Sequence, residues 1–269
     1  MKRSLLLLIL AGLMSTAQAQ GHLMIEIAPD SAATLEVFLP AEPNGQGVVC
    51  CPGGGYSHLS YQNEGTDWAA FFNDLGIAFC VLKYRMPAGD RSLPMEDACE
   101  AVRQVRQHAE EWGVDPKRVG IMGFSAGGHL ASTTATHAPV EAMPDFQILF
   151  YPVISMVEAD THKGSVVNFL GDSRTDEPLV SEFTNWKQVT PSSPPAIILL
   201  SSDDKAVPPL TNGLPYYEAL VRQGVSATLA AFPTGGHGWG FKSTFPYHDE
   251  MLALLSRWIS EELRVKSEE

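Results

Sequence analysis

Short apolar runs alternate with amphipathic segments along most of the chain. The apolar runs contain few polar positions and end at Gly, Pro or polar turn residues, which is typical of strands buried on both faces. They occupy residues 34–39, 47–51, 77–82, 118–122, 146–151, 196–201 and 227–232. Apolar residues recur at helical spacing over residues 64–75, 93–112, 211–223 and 247–263. Strands that alternate with helices predict an α/β fold, with a mostly parallel central sheet and helices on both faces.

Two stretches depart from this alternation. Residues 20–34 show no regular pattern, and we expect an irregular segment that leads into the first strand. Residues 155–195 are polar and end in a Pro-Ser-Ser-Pro-Pro run. Long excursions between strands are usually lids or binding loops. The second stretch therefore predicts a lid-like insertion over the carboxyl edge of the sheet.

The N-terminus has the pattern of a secretory signal peptide. Lys2 and Arg3 precede a short apolar run over residues 5–13, and Ala17-Gln18-Ala19 is a small-x-small cleavage site. The alternative is an apolar N-terminal helix of the mature domain. We expect a signal peptide over residues 1–19, cleavage near Ala19, and one catalytic domain over residues 20–269 that is periplasmic or secreted. No later run reaches the ~18 apolar residues of a membrane-spanning helix.

Composition narrows the classes of partner. The 269 residues carry a formal net charge of −13, which argues against nucleic acid and anionic membranes as partners. The spacing of Cys50, Cys51, Cys80 and Cys99 matches neither a zinc site nor a disulfide framework. We expect buried thiols, with one disulfide left open. No residue pattern calls for a metal or a cofactor.

The strongest chemical signal is the pentapeptide Gly-Phe-Ser-Ala-Gly at residues 123–127. It stands between an apolar run and a segment of small, helix-compatible residues, which is the strand-turn-helix context of a G-x-S-x-G nucleophile elbow. Gly123 and Gly127 are needed there, because side chains would collide with the neighbouring strand and helix. The pattern predicts Ser125 as a nucleophile; the alternative is an ordinary glycine-rich turn.

A serine nucleophile needs a base and an acid that orients the base, and in this context they follow the serine in the order acid, then histidine. His237 lies in a glycine-rich loop after the last strand, whereas His248 begins the last helical segment; we favour His237. Asp204 follows the strand at 196–201 and is the preferred acid, with Asp203 in reserve. One of the two is expected to cap the turn before Pro208, and two solvated turn aspartates are the alternative.

The negative oxygen that forms during attack needs fixed N–H donors. The predicted donors are Ala126 at the elbow and the glycines after the strand at 47–51, with a plain flexible turn as the alternative. Three further side chains flank this region and are predicted to line a sugar or aromatic pocket: Tyr56, His58 and Trp239. His129 is expected to pack beneath the elbow.

These segments together resemble the esterases of the α/β-hydrolase superfamily, and more narrowly the exported bacterial acetyl xylan esterases and feruloyl esterases. The likeness spans about residues 35–262 and rests on residues 52–56 (Pro-Gly-Gly-Gly-Tyr), 123–129 (Gly-Phe-Ser-Ala-Gly-Gly-His), 151–154 (Tyr-Pro-Val-Ile), 204–208 (Asp-Lys-Ala-Val-Pro) and 236–238 (Gly-His-Gly). The resemblance implies the α/β-hydrolase fold.

The resemblance also implies site residues. It matches Asp204 to the catalytic aspartate and carries Gly54 and Gly55 over as oxyanion donors. Pro52 stands where related esterases have the leading histidine of their glycine loop, so that loop must be supported in another way.

The resulting prediction is a serine esterase that acts through Ser125, His237 and Asp204. The resemblance implies acetyl esters on xylan-type fragments as substrates, with feruloyl esters as the second option. The alternatives are a peptidase related to prolyl oligopeptidases, a general short-chain lipase or esterase, and an inactive hydrolase fold that binds carbohydrate. The expected partner is a small-molecule or oligosaccharide ester, and the oligomeric state stays open.

Overall fold

The apolar runs form one eight-stranded sheet in the computed structural model, which describes residues 21–265. The strands are β1 (Gly21–Ala28), β2 (Ala33–Leu39), β3 (Gly45–Cys51), β4 (Ala78–Lys83), β5 (Val114–Phe124), β6 (Gln147–Phe150), β7 (Ala196–Ser201) and β8 (Ala227–Phe232). Their order in the sheet is β1-β2-β4-β3-β5-β6-β7-β8. Only the pairings of β2 with β1 and β4 are antiparallel within the described residues. The predicted signal peptide lies outside these residues.

Helices cover both faces of the sheet, as predicted. They are α1 (Ala69–Asp74), α2 (Ser92–Gln107), α3 (Ala109–Trp112), α4 (Ala126–His137), α5 (Lys163–Leu170), α6 (Glu177–Glu182), α7 (Gly213–Arg222) and α8 (His248–Val265). Helices α2, α4 and α7 pack on one face, and α1 and α8 pack on the other. Among the described residues, no helix has the length and apolar content needed to cross a bilayer.

The continuous apolar runs follow from this two-sided burial. In β7, Ile197 and Leu199 belong to the core layer beneath α1 and α8, whereas Ile198 and Leu200 belong to the opposite layer. Successive side chains of a strand point to opposite faces, so a strand that is covered twice has apolar residues at every position. This is why the run carries no polar alternation.

The cysteines are free thiols, and all of them are buried. Cys50 and Cys51 are neighbours on β3 and face opposite core layers. Adjacent strand residues point in opposite directions, so these side chains pack as small apolar groups in separate places.

The expectation of an irregular segment over residues 20–34 is wrong, because β1 pairs antiparallel with β2 there. His22, Met24 and Glu26 are exposed, while Leu23, Ile25 and Ile27 pack against the core. This is the alternation of an edge strand with one solvated face. A search for continuous apolar runs does not detect it.

Two predicted helices are shorter or interrupted. The helix predicted over 64–75 begins only at Ala69, after a 3₁₀ turn at Thr66–Trp68. The helix predicted over 93–112 breaks at His108, which separates α2 from α3. Gly113 then ends α3 with a φ of 65°, a left-handed conformation that glycine adopts at little cost.

The stretch at 155–195 is an insertion between β6 and β7 that carries α5 and α6. It is bonded to the body of the fold at several points. Asn185 Nδ2 donates to the carbonyl of His129 on α4, and His129 Nε2 donates to the carbonyl of Phe183. Asn212 Nδ2 donates to the carbonyl of Asp160 at the other end of the insertion. The insertion is therefore held against the body of the fold by hydrogen bonds at both of its ends.

Candidate active site

Ser125 occupies a strained turn between β5 and α4. Its φ of 52° and ψ of −118° lie in a region that residues with a side chain rarely adopt. The Ser125 N–H donates to the carbonyl of Phe150 at 3.1 Å, which helps to hold this conformation. A Cβ on Gly123 would lie 2.2 Å from Gly127 O, and a Cβ on Gly127 would lie 2.1 Å from Cys51 O. The turn can form only because both positions are glycine.

Ser125, His237 and Asp204 form one row of hydrogen bonds. His237 Nε2 lies 2.8 Å from Ser125 Oγ, and His237 Nδ1 lies 2.6 Å from Asp204 Oδ2. A carboxylate can only accept, so Nδ1 carries the proton and Nε2 presents a lone pair to the serine hydroxyl. The Asp204 side chain is 1% exposed and is shielded from water. This arrangement can take a proton from Ser125 as its oxygen attacks a carbonyl carbon.

Both aspartates also hold backbone in place. Asp204 Oδ1 accepts hydrogen bonds from the N–H groups of Ala206 and Val207, each at 2.9 Å. Asp204 thus orients His237 and caps its own turn. Asp203 Oδ1 accepts from the Gly236 N–H at 2.8 Å and fixes the loop that carries His237. His248 lies at the start of α8 with its ring against Phe241, outside the row of hydrogen bonds.

The glycine loop after β3 presents free amides beside Ser125. The Gly53 N–H donates to a side chain, but within residues 21–265 no hydrogen bond uses the N–H of Gly54 or Gly55. A Cβ on Gly54 would lie 2.0 Å from His58 O, and Gly54 and Gly55 have φ values of 132° and 64°. The loop therefore needs glycine. Ala126 opens α4, where the first N–H groups of a helix have no partner within the helix.

A cavity of about 460 Å³ opens above Ser125. The insertion contributes part of its wall through His162, Gly164 and Asn168. Asn168 Nδ2 also donates to the carbonyl of Gly55 at 2.8 Å. The insertion therefore borders the site and supports the glycine loop at the same time.

Of the three predicted pocket residues, His58 lines this cavity, but the prediction for Tyr56 and Trp239 is wrong. Tyr56 is 2% exposed, and its hydroxyl bonds to His129 Nδ1 in the core. Trp239 is 3% exposed, donates from Nε1 to Ser201 Oγ and stacks on Phe245. Both residues lie on loops, but their rings turn inward because apolar surface is more stable away from water.

Glu64 is a functional candidate that the sequence pattern did not reveal. It is 4% exposed, and its carboxylate accepts from the Gly53 N–H at 3.0 Å and from the Tyr151 hydroxyl at 2.7 Å. The Tyr151 oxygen in turn accepts from the Gly240 N–H at 2.9 Å. This chain of bonds joins the glycine loop to the loop of His237. It supplies support to a loop that lacks a leading histidine.

The charge on Glu64 is set by its surroundings. Burial raises the pKa of Glu64, while the hydrogen bond from Tyr151 and the nearby His237 oppose that rise. Burial and the Glu64 carboxylate raise the pKa of Tyr151, so its hydroxyl keeps its proton and donates.

His129 packs beneath the elbow and is fully buried. Its Nε2 donates to a carbonyl, so in the neutral ring Nδ1 accepts from the Tyr56 hydroxyl. Burial lowers the pKa of His129 to about 4. This histidine is therefore a structural link between α4, the glycine loop and the insertion.

Replacing Glu64 by Gln should slow the reaction of Ser125 with a fluorophosphonate by about tenfold to 100-fold, because displaced oxyanion donors cost that much. The amide offers one acceptor oxygen where the carboxylate serves two donors. The exposed Glu42 provides the matched control, Glu42→Gln. Equal labelling rates for the two variants, with both folded by circular dichroism, would contradict a role for Glu64 in positioning the loop.

The buried His129 predicts a loss of stability in mild acid. The unfolded chain binds a proton near pH 6.5 and the folded chain only near pH 4, so protonation favours unfolding as the pH falls through this window. The wild-type free energy of unfolding should fall by up to about 3 kcal/mol more than that of His129→Gln, measured with urea. Parallel curves for the two proteins would show that His129 is not the group responsible.

Comparison with known proteins places this geometry in context. The profile of the α/β hydrolase fold family matches residues 48–241. An acetylxylan esterase of Xylanibacter ruminicola is 43% identical over 96% of this chain, and an endo-1,4-beta-xylanase B of Butyrivibrio fibrisolvens is 35% identical over 71% of it. This chain spans 55% and 32% of the length of those two proteins.

A solved structure agrees with the family profile. The acetyl ester-xyloside bifunctional hydrolase from Caldicellulosiruptor lactoaceticus is 33% identical to this chain, with a TM-score of 0.81. The match covers 88% of this chain and 95% of that one. The sheet order, the strained serine turn and these matches agree, and the chain belongs to the α/β hydrolase fold family.

Proposed function

We propose that this protein is a serine esterase that removes acetyl groups from xylan-type plant polysaccharide fragments. The observation that carries the proposal is the hydrogen-bonded row of Ser125, His237 and Asp204 at a cavity bordered by unpaired backbone amides. Acyl transfer needs a hydroxyl that can give its proton to a base and N–H donors that can bind the negative oxygen that forms, and both are present at this cavity.

In the first half of the reaction, Ser125 Oγ attacks the ester carbonyl carbon and its proton passes to His237 Nε2. The carbonyl oxygen becomes negative and is bound by the N–H groups of Gly54, Gly55 and Ala126. Asp204 holds the proton on Nδ1 and stabilises the imidazolium. The ester C–O bond then breaks, His237 returns the proton to the leaving alcohol oxygen, and an acyl-serine remains.

In the second half, water takes the place of the alcohol. The water oxygen attacks the acyl-serine while His237 accepts a proton from the water, and the same amides bind the negative carbonyl oxygen. Collapse of this intermediate breaks the bond to Ser125 Oγ, which regains its proton from His237. The products are the free acid and the unchanged enzyme.

The choice of substrate rests on the relatives and on the cavity wall. Two of the named relatives are an acetylxylan esterase and an acetyl ester-xyloside hydrolase. The wall around Ser125 consists mostly of glycine and polar side chains. Feruloyl esters, the second option, carry an aromatic acyl group that an apolar wall would bind better. A wall of glycine and polar side chains therefore favours an acetyl group.

Export is part of the proposal. The basic residues, apolar run and small-x-small site at residues 1–19 support a signal peptide that is removed near Ala19. An enzyme that acts on fragments of plant cell wall would then meet its substrate outside the cytoplasm.

The test compares acetate and ferulate release from acetylated and feruloylated xylo-oligosaccharides by protein recovered from the periplasm or medium, with its N-terminus sequenced. We expect the N-terminus at Gln20 and faster release of acetate than of ferulate. Ser125→Ala should lower the rate by about 10⁶-fold and Asp204→Asn by about 10⁴-fold.

Wild-type rates in Ser125→Ala would end the esterase proposal. Faster release of ferulate would reverse the assignment of the acyl group, and an uncleaved N-terminus would contradict export.

A further inference from the structure

The insertion places one ionisable side chain at the mouth of the cavity. His162 immediately precedes α5 and lines the same cavity as Ser125 and His237. Its ring stands beside the glycine loop, because a Cβ on Gly55 would lie 3.2 Å from His162 Cε1. His162 as a whole is exposed to solvent. A group bound at Ser125 and projecting outward would therefore pass this ring.

The orientation of the ring is set by the start of α5. The Ser165 N–H donates to His162 Nδ1 at 3.2 Å, and the Ser165 hydroxyl lies 2.9 Å from the same atom. A backbone N–H can only donate, so Nδ1 presents a lone pair and the proton of the neutral ring sits on Nε2. Partial desolvation, and after it the nearby His237, lower the pKa of His162, which keeps the ring neutral at pH 7.

The Nε2–H of His162 has no hydrogen-bond partner in the part of the chain that the structure describes. The wall that carries it is held in place. Asn168, on the next turn of α5, donates to the carbonyl of Gly55, and Phe169 packs on the rings of Tyr56 and His129. A donor on a rigid wall loses little entropy when it binds, so it can contribute to affinity.

The orientation of the ester at Ser125 determines which part of the substrate lies near His162 Nε2. The acyl carbon is bonded to Ser125 Oγ in the intermediate, and an acetyl group has no atoms that could reach the cavity mouth. The alcohol receives its proton from His237, so it leaves on the side of that ring, and His237 and His162 line the same cavity. In a sugar ester, hydroxyl and ring oxygens flank the esterified carbon and can accept hydrogen bonds.

We propose that His162 is a substrate-binding residue that donates from Nε2 to an oxygen of the sugar, and so selects sugar acetates over acetates of simple alcohols. This inference rests on the proposed esterase function and names the part of the substrate that the insertion recognises. The insertion then contributes to specificity through a fixed side chain that needs no closing motion.

A pair of substitutions separates the two roles of His162. The amide of Asn lies at the distance of Nδ1, so His162→Asn can keep the bond that caps α5 but has nothing at the place of Nε2. The amide of Gln lies at the distance of Nε2, so His162→Gln can keep the outward donor but loses the cap. The neighbouring exposed Lys163, which pairs with Glu158, provides the control Lys163→Ala.

The measurement is kcat and KM for an acetylated xylo-oligosaccharide and for p-nitrophenyl acetate, with the melting temperature of each variant. For His162→Asn we expect an unchanged melting temperature and a loss of about tenfold in kcat/KM for the sugar ester, mainly through KM. Its rate with the aryl acetate should stay within about twofold, since the only other oxygens of p-nitrophenol are on the nitro group, across the ring from the ester. His162→Gln should keep the sugar preference and melt at a lower temperature.

The outcomes that overturn the proposal are distinct. Unchanged selectivity in His162→Asn, in a wild type that hydrolyses both esters, contradicts the donor alone. An equal loss for both esters shows that His162 acts on the chemistry or the fold. A wild type that hydrolyses only the aryl acetate refutes the sugar substrate and the donor together, whereas one that hydrolyses neither refutes the esterase function.

Discussion

The site depends on the close packing of the turn that holds Ser125. The serine has a strained backbone, and the turn fits between β3 and α4 only because Gly123 and Gly127 leave no side-chain atoms in the contact. Strain of this kind persists only where the surrounding structure over-determines it. The same geometry aims Oγ out of the sheet and brings the first N–H groups of α4 beside it. The proposed nucleophile and one proposed oxyanion donor are thus consequences of one turn.

The other parts of the site come from distant segments and are held together by polar contacts. Buried bonds of Glu64 and Tyr151 connect the glycine loop to the loop of His237, and the exposed Asp203 ties that second loop to the end of β7. Buried polar groups are costly unless they are paired, so the satisfied links through Glu64 and Tyr151 restrict the loops to one arrangement. In the proposed reaction, preorganisation of this kind lets the amides stabilise charge without rearranging.

Local patterns in the sequence predicted most of the fold and the three residues of the hydrogen-bonded row. The pentapeptide at 123–127 and the order of acid and histidine depend on short-range rules, so they could be read directly. The role of Glu64 could not be predicted from the sequence, since its partner Tyr151 is far along the chain. A buried carboxylate at the start of a helical pattern also looks the same in sequence as a solvent-exposed one. The prediction that Tyr56 and Trp239 line the pocket was wrong, because position on a loop does not determine whether a ring points outward or into the core. The strand β1 was not predicted because its apolar and polar residues alternate, as in an edge strand, whereas the search was for continuous apolar runs.

The most direct test of Ser125 as the nucleophile, with backbone amides as the oxyanion donors, is a crystal structure of the protein after reaction with a fluorophosphonate. We expect a covalent bond between phosphorus and Ser125 Oγ, with the phosphoryl oxygen within about 3.1 Å of the N–H nitrogens of the glycine loop and of Ala126. His237 Nε2 should remain beside the modified oxygen. A label on another residue, or a phosphoryl oxygen that points away from both sets of amides, would contradict the account.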